Sequence, residues 1–299
     1  MPEREYSIND NGYRLIDTGN GRKLEQFGKY ILIRPISTAI WRPAKPELWK
    51  QANAEFYRSG KDTGTWKTLG AKPLPPSWIL EHNGLKYNIE PNSFGNLGLF
   101  PEHWLYQTWI TRIIDTWKYQ DPTKPIKILN LFSYSGSNSL KTVTLRTEIT
   151  NVDSSKQSMH LLTRNLEING LAGKTRLILE DAKKFMQREI KKGNKYDGIM
   201  LDPPTFGRGP TGEIFKIETD VNELIDMCQQ LAILDRSFVV FTCHTPGLLP
   251  STLQNLFFST FNQPAKAEEL VLSDIAGRNL PAGIITKICL DKSYKESVI

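Results

Sequence analysis

Lys127-Ile-Leu-Asn-Leu-Phe-Ser-Tyr-Ser-Gly-Ser137, a helix-length segment, and then Glu148-Ile-Thr-Asn-Val-Asp153 form the stretch around which this 299-residue chain is organised. A short apolar run that ends in a Ser/Gly turn and is followed by a helix and a second strand reads as one strand–turn–helix–strand unit. The small residues Ser133, Ser135 and Gly136 leave room for a ligand to approach the backbone at the start of the helix. Asp153, closing the second strand, is suited to accept hydrogen bonds from a ribose diol. Together they make a nucleoside-binding half-site. The turn lacks the Gly-x-Gly-x-x-Gly spacing of a dinucleotide fingerprint, so its meaning rests on what surrounds it.

Downstream the pattern is regular. Strands are expected at 126–132, 148–152, 175–179, 196–201 and 236–242, with helices near 137–146, 155–168, 181–192, 219–234 and 249–260. Thr142, Val143, Thr144 and Thr147 lower the helix propensity of 137–146. Alternating strands and helices imply a parallel α/β sheet covered on both faces. Two final strands, 267–273 and 283–290, are joined by a segment too short to hold a covering helix. That pair is expected to be antiparallel, completing seven strands.

Upstream, residues 13–34 read as short strands around a Gly19-Asn20-Gly21 turn. Residues 1–80 are expected to form a small β-rich domain and 81–299 the α/β domain, with Pro73-Leu-Pro-Pro76 as the candidate linker. Trp41, Trp49, Trp66 and Trp78 are interleaved with Lys and Arg, among them Arg42, Lys50, Lys61 and Lys67. Rings beside cations suit single-stranded nucleic acid. The same tryptophans suit the packing of a small loop-rich domain. Leu85–Glu90 and Gly98–Phe100 read as a hairpin joined through Pro91-Asn92-Ser93, and Leu105, Trp109, Ile113 and Trp117 mark the apolar stripe of a helix.

Lys and Arg number 38 against 32 Asp and Glu, a net charge of +6 with a pI near 9.0, which fits a polyanionic partner and equally an ordinary basic protein. Cys228, Cys243 and Cys289 lack metal-ligand spacing and are too few for a disulfide framework, which points to a reducing cytoplasm with no metal site. Met1-Pro-Glu-Arg-Glu-Tyr6 has no apolar core for a signal peptide, and no run approaches about 18 apolar residues, so no membrane partner is expected. Nothing in the sequence speaks to the oligomeric state.

In an open parallel sheet, ligands bind outside the carboxyl ends of the strands. The Ser133–Gly136 turn, Asp153, Glu180-Asp181-Ala182 and Asp202-Pro-Pro-Thr-Phe206 all fall at such ends. Asp181 is suited to an exocyclic amine or to capping the helix that follows. Two prolines after Asp202 remove backbone donors and hold the chain extended, aiming groups outward where the strand stops.

Asn130-Leu-Phe-Ser-Tyr-Ser-Gly136, Val152-Asp-Ser-Ser155, Asn165-Leu-Glu-Ile-Asn-Gly-Leu171, Glu180-Asp-Ala182 and Leu201-Asp-Pro-Pro-Thr-Phe206, in this order, resemble a class I S-adenosylmethionine-dependent methyltransferase. More narrowly they are similar to bacterial large-subunit rRNA methyltransferases of the cytosine-5 and guanine-N7 types. The resemblance covers residues 83–291 and includes Gly95-Asn-Leu-Gly-Leu-Phe-Pro-Glu102. It implies a Rossmann-like sheet, S-adenosylmethionine as cofactor and RNA, in that family ribosomal, as partner. It further implies that Phe132, Ser133, Tyr134, Ser135 and Gly136 cradle the methionine moiety and that Asp153 with Ser154 holds the ribose. Asp181 with Ala182 would hold the adenine, while Phe100 and Glu102 would close the cofactor from the hairpin side. Asp202, Pro203 and Pro204 would face the target base, with Phe206 as a stacking ring.

Asp-Pro-Pro-Thr-Phe is closer to the guanine-N7 members than to the Asp-Pro-Pro-Lys form of the cytosine-5 members. Cys243, ending the fifth strand, stands where the cytosine-5 enzymes put the thiolate that activates carbon 5. It reads equally as a buried small hydrophobe. His244 is next to it, but neighbours on a strand point to opposite faces, so it is not expected to serve as that cysteine's base. Two other functions stand beside the RNA methyltransferase: methyl transfer to a small molecule or protein, and RNA binding without catalysis.

Overall fold

The computed structural model describes residues 12–60, 63–208, 212, 214–291 and 294. Lys61 and the first eleven residues lie outside them. The chain divides into two compact units, residues 1–101 with 272–281, and residues 102–271 with 282–299. The expected boundary after residue 80 lies inside the first unit.

The first unit is built on a five-stranded sheet of β1 (Tyr13–Gly19), β2 (Arg22–Phe27), β3 (Tyr30–Pro35), β4 (Ala54–Arg58) and β5 (Gly64–Thr68), in that order. β1, β2 and β3 form an antiparallel meander, and β4 returns parallel to β3. Asn20 and Gly21 take φ of 53° and 72°, which closes the first hairpin as the Asn-Gly pair requires. All four tryptophans donate inward within this unit. Trp41 Nε1 bonds Thr18 Oγ1, Trp49 Nε1 Asp17 Oδ2, Trp66 Nε1 the Asn92 carbonyl and Trp78 Nε1 the Phe27 carbonyl. Their rings therefore pack this unit, the second of the two uses read from the sequence.

The expected hairpin across Pro91-Asn92-Ser93 is replaced by one a turn earlier. β6 (Trp78–His82) pairs with β7 (Leu85–Ile89) around Asn83-Gly84, both at positive φ, and Gly98–Phe100 is not a strand. Asn-Gly supplies the two left-handed residues of a two-residue turn, which Pro91 cannot. The loop after β7 is closed by the Glu90 amide donating to the Leu97 carbonyl at 3.0 Å.

The second unit carries a seven-stranded sheet. Its strands are β8 (Lys127–Leu131), β9 (Glu148–Asp153), β10 (Arg176–Leu179), β11 (Gly198–Leu201), β14 (Phe238–Cys243), β15 (Lys266–Ser273) and β16 (Asn279–Cys289). Their order is β10-β9-β8-β11-β14-β16-β15. The first five are parallel, and β16 inserts antiparallel to β14. This is the Rossmann-like sheet that the alternation of elements predicts. Between β11 and β14 lies a small hairpin of β12 (Phe206–Arg208) and β13 (Ile214–Lys216), which the periodicity did not reveal because each strand has only three residues.

The helices are α1 (Gln107–Gln120), α2 (Leu140–Thr144), α3 (Lys156–Ile168), α4 (Ala182–Lys191), α5 (Ile217–Leu231) and α6 (Pro250–Phe261). Ser155 caps α3 by accepting from the Ser158 amide, and Asp181 caps α4 by accepting from the Lys184 amide. α1 buries Trp109, Ile113 and Trp117 as the stripe requires, but Leu105 precedes the helix, in a 3₁₀ turn, and is exposed. α2 keeps only five of the ten residues expected at 137–146. The segment before it is used in reverse turns, Gly136 amide to Ser133 carbonyl and Ser139 amide to Gly136 carbonyl, and its Thr-Val-Thr run propagates helix poorly. No helix among the described residues is long and apolar enough to cross a membrane.

The core around β11 and β14 is apolar. β11 and β14 are buried along their whole length, and α5 and α6 cover one face with Leu224, Ile225, Leu231, Leu253 and Phe257. Each such side chain contributes about 1.5–3 kcal/mol on burial, enough to hold the strand ends at which the site is built.

Candidate active site

The turn after β8 is strained and buried. Phe132, Tyr134 and Gly136 all have positive φ (54°, 46° and 73°), two of them without the freedom of glycine. What holds it is a set of buried amides. Asn130, in mid-β8, exchanges hydrogen bonds with Asn138 at 3.0 and 2.9 Å and donates to Asn151 of β9 at 2.8 Å. Asn165, reaching up from α3, donates to the Ser135 carbonyl at 2.9 Å. Asp153 Oδ2 accepts from the Tyr134 amide at 2.9 Å, and its Oδ1 accepts from the Ser155 amide at 2.8 Å. Burial pushes the Asp153 pKa up, against the pull of those two amides.

These residues fit a nucleoside carrying a polar tail. Ser133 Oγ and Ser135 Oγ are buried without a hydrogen-bond partner among the described residues. Leaving such a group unpaired costs about 1–3 kcal/mol, which the polar groups of a ligand would offset. The Asp153 carboxylate, bonded by those two amides and the Ser158 side chain, keeps lone-pair capacity that a ligand hydroxyl would use. Asp181 uses Oδ1 to cap α4, the second of the two roles read for it from the sequence.

Several expected residues sit differently. A Cβ on Gly136 would lie 2.2 Å from Leu162 Cδ1, so the missing side chain makes room for α3. The Phe132 ring packs on Phe215, 5.4 Å between centroids, at the edge of the core. Ala182 is buried in the first turn of α4, and Ser154 is partly buried beside Asp153. Phe100 belongs to the first unit, Glu102 to the second.

At the ends of β11 and β14 the second unit assembles a cluster that the sequence did not reveal. Asp202 Oδ2 lies 3.1 Å from His103 Nε2, while Asp202 Oδ1 accepts from the Thr242 hydroxyl at 2.7 Å and lies 3.4 Å from His244 Nε2. His103 Nδ1 is 3.1 Å from Ser137 Oγ. His244 Nδ1 is 3.9 Å from Glu102 Oε1, and the imidazole also donates to the Ala282 carbonyl. Gly283 lets that ring in, since a Cβ there would stand 2.8 Å from His244 Nδ1. Burial alone would raise the Asp202 pKa, but His244 and His103 hold it well below the carboxylate range. Burial likewise opposes charge on His244, yet the Asp202 carboxylate lifts it to about 9.

Alternation along β14 works as the sequence reading expected, with the opposite consequence for function. Cys243 turns into the core beside Leu253 and Phe257, and its Sγ accepts from the Thr245 amide at 3.4 Å. Burial pushes the thiol pKa up. His244, one residue on, turns to Asp202 with its side chain 34% exposed. Beyond Asp202, Thr205 Oγ1 is hydrogen-bonded to Thr245 Oγ1 at 2.8 Å, and Phe206 is half exposed (49%) at the start of β12.

Comparison with known proteins agrees with this architecture. Residues 113–257 match the family model described as "Conserved hypothetical protein 95". The chain is 30% identical over 178 residues to ribosomal RNA large subunit methyltransferase I of Aeromonas salmonicida, covering 58% of this chain and 42% of that protein. It is 28% identical over 167 residues to ribosomal RNA large subunit methyltransferase K/L of Hahella chejuensis, covering 55% and 22%. The chain thus spans less than half the length of these curated relatives. The crystal structure of an S-adenosylmethionine-dependent methyltransferase from Agrobacterium tumefaciens superposes with a TM-score of 0.87 at 31% identity, over 93% of this chain and 90% of that one. With near-complete coverage at that identity, and with the strand order in agreement, the chain belongs to the class I S-adenosylmethionine-dependent methyltransferases.

Proposed function

We propose that this protein transfers the methyl group of S-adenosylmethionine to a guanine base of ribosomal RNA in the cytoplasm. The observation that carries the reading is the meeting of the Ser133–Gly136 turn, Asp153, Asp181 and Asp202 at the carboxyl ends of adjacent strands of one sheet. The cofactor supplies an electrophilic sulfonium methyl. The chain's own contribution is position and exclusion of water. Ser133 and Ser135 hydroxyls take the methionine end, Asp153 the ribose and Asp181 the adenine amine. The Asp202-Pro203-Pro204 turn and Phe206 receive a base lifted out of its stack, the exposed Phe206 ring serving as its platform.

Guanine is favoured over carbon 5 of cytosine by the state of Cys243. Methylation at carbon 5 needs a thiolate that reaches the ring. A thiol turned into the core, with its pKa raised by burial, is a poor source of one. A guanine nitrogen attacks the methyl directly and needs no covalent help. The large-subunit rRNA named for the relatives supports RNA as acceptor, and so does the net charge of +6.

The test is to incubate the protein with labelled S-adenosylmethionine and rRNA from cells lacking it, then identify the labelled nucleoside, with Cys243→Ala in parallel. Methylguanosine formed equally by both proteins is the expected result. Label in 5-methylcytidine that vanishes in the variant would make Cys243 the nucleophile and overturn the choice of base. Label in no nucleoside would remove RNA as acceptor and favour a small molecule or protein.

A further inference from the structure

The His103–Asp202–His244 cluster has the composition and the surroundings of a metal centre. His103, Asp202 and His244 come from three separate segments of the second unit, and one donor atom from each lies within 4.8 Å of the other two; the Nε2 atoms of His103 and His244 are 3.1 and 3.4 Å from the Asp202 carboxylate. Two imidazoles offering the same ring nitrogen to one carboxylate is a donor set suited to a first-row divalent cation.

Two further features separate this cluster from a chance ion pair. The first is its outer layer. Histidines that bind metal have the opposite side of the ring held by a carboxylate, a carbonyl or another polar group, which fixes the ring and its tautomer. Here Ser137 Oγ lies 3.1 Å from Nδ1 of His103. Glu102 Oε1 and the Ala282 carbonyl face the His244 ring, in a recess that exists because residue 283 has no side chain. The second is charge. Asp202 and Glu102 are both largely buried, and among the described residues neither has a Lys or Arg partner within ion-pair distance. These carboxylates are met by two imidazoles and the Thr242 hydroxyl, and a divalent ion would add positive charge that neither Lys nor Arg supplies.

We propose that His103, Asp202 and His244 bind one divalent transition-metal cation, with Ser137, Glu102 and Ala282 orienting the two imidazoles. Three protein ligands leave open coordination positions, which take water or an oxygen of a bound substrate. The site stands on its own donor atoms and does not depend on which base is methylated.

Cobalt(II) is the probe, because ligand binding makes its visible d–d absorption strong. Tag-free protein, stripped with chelator, is titrated with cobalt(II). The expected result is a band that saturates at a single ion per chain and is displaced by zinc. His103→Ala and His244→Ala abolish it, Glu102→Gln weakens binding by about 10- to 100-fold, and His160→Ala, at an exposed position on α3, leaves it unchanged. A wild-type titration with no saturable band, or a band that survives in His244→Ala, overturns the site and leaves an imidazole–carboxylate relay in its place. Should a variant fail to fold, as circular dichroism would reveal, the wild-type titration still decides. Calorimetry with S-adenosylhomocysteine on the same samples reads the cofactor pocket separately, so a failure there is distinguishable from a failure to bind metal.

Discussion

The Asp153 carboxylate shapes its own surroundings, since its oxygens hold the Tyr134 and Ser155 amides and so set the form of the strained turn. The proposed function gives it a second task, holding the ribose. Asp153→Asn keeps the shape but replaces one acceptor oxygen with a donor nitrogen. Hydrogen bonds to charged groups contribute about 1.5–3 kcal/mol, so the variant is expected to bind S-adenosylhomocysteine about 10- to 100-fold more weakly by calorimetry. An unchanged dissociation constant would remove Asp153 from the cofactor site. The acids at strand ends were legible in the sequence because strand ends are local features. His103 was not, because nothing near it in the chain announces that it will meet Asp202, 99 residues away. His244 was legible in direction, opposite to Cys243, but no local pattern favours the imidazole over the thiol.

At the scale of elements, the contact between β11 and β14 decides how closely Asp202 and His244 approach. Gly198 begins β11 opposite Phe238, and a Cβ there would lie 2.4 Å from the Phe238 ring. That ring cannot retreat easily, being stacked on Trp117 with centroids 5.9 Å apart and planes 21° from parallel. Gly198→Ala is therefore expected to cost about 1–3 kcal/mol through overpacking, measured by urea unfolding followed in the near-ultraviolet circular dichroism. A variant as stable as the parent would mean that the two strands have slack. The existence and order of β8 to β11 and of α3 to α6 followed from periodicity and caps, while their ends shifted by up to three residues. α2 and the β12–β13 hairpin did not, since reverse turns and three-residue strands leave no periodic trace.

For the whole molecule, the first unit sets part of the response to acid. Glu25 is fully buried on β2, with Arg34 Nε at 2.7 Å and Lys23 Nζ at 3.1 Å. Burial by itself would raise its pKa, but the charges of Arg34 and Lys23 outweigh this and lower it from 4.5 to about 2. A depressed folded-state pKa stabilises the fold above the unfolded value, and the contribution is lost as pH falls from about 4.5 towards 2. The difference corresponds to something on the order of 3 kcal/mol. Glu25→Gln is expected to be less stable than the parent at neutral pH and to show a flatter loss between pH 5 and about 3, read by hydrogen exchange of the β2 amides. Parallel acid profiles in the two proteins would contradict it. The segment Leu272–Pro281 also belongs to this unit, where Arg278 binds Asp17, Asp274 Oδ2 at 2.7 Å and the Thr18 carbonyl at 2.9 Å. No local signal assigns a stretch so late in the chain to the first unit.

By itself the sequence determined what depends on neighbours: the alternation of strands and helices, the turn after Leu131, the acids that end β9 and β11, and the direction of Cys243 relative to His244. These follow from side-chain periodicity and backbone freedom over a few residues. The tertiary structure alone decided what depends on distant segments meeting. It turned four tryptophans inward, gave Gly136 to Leu162, buried the Cys243 thiol and brought His103 and His244 to either side of Asp202. The physical reason is that burial and electrostatic coupling act through space, and the sequence records only order along the chain.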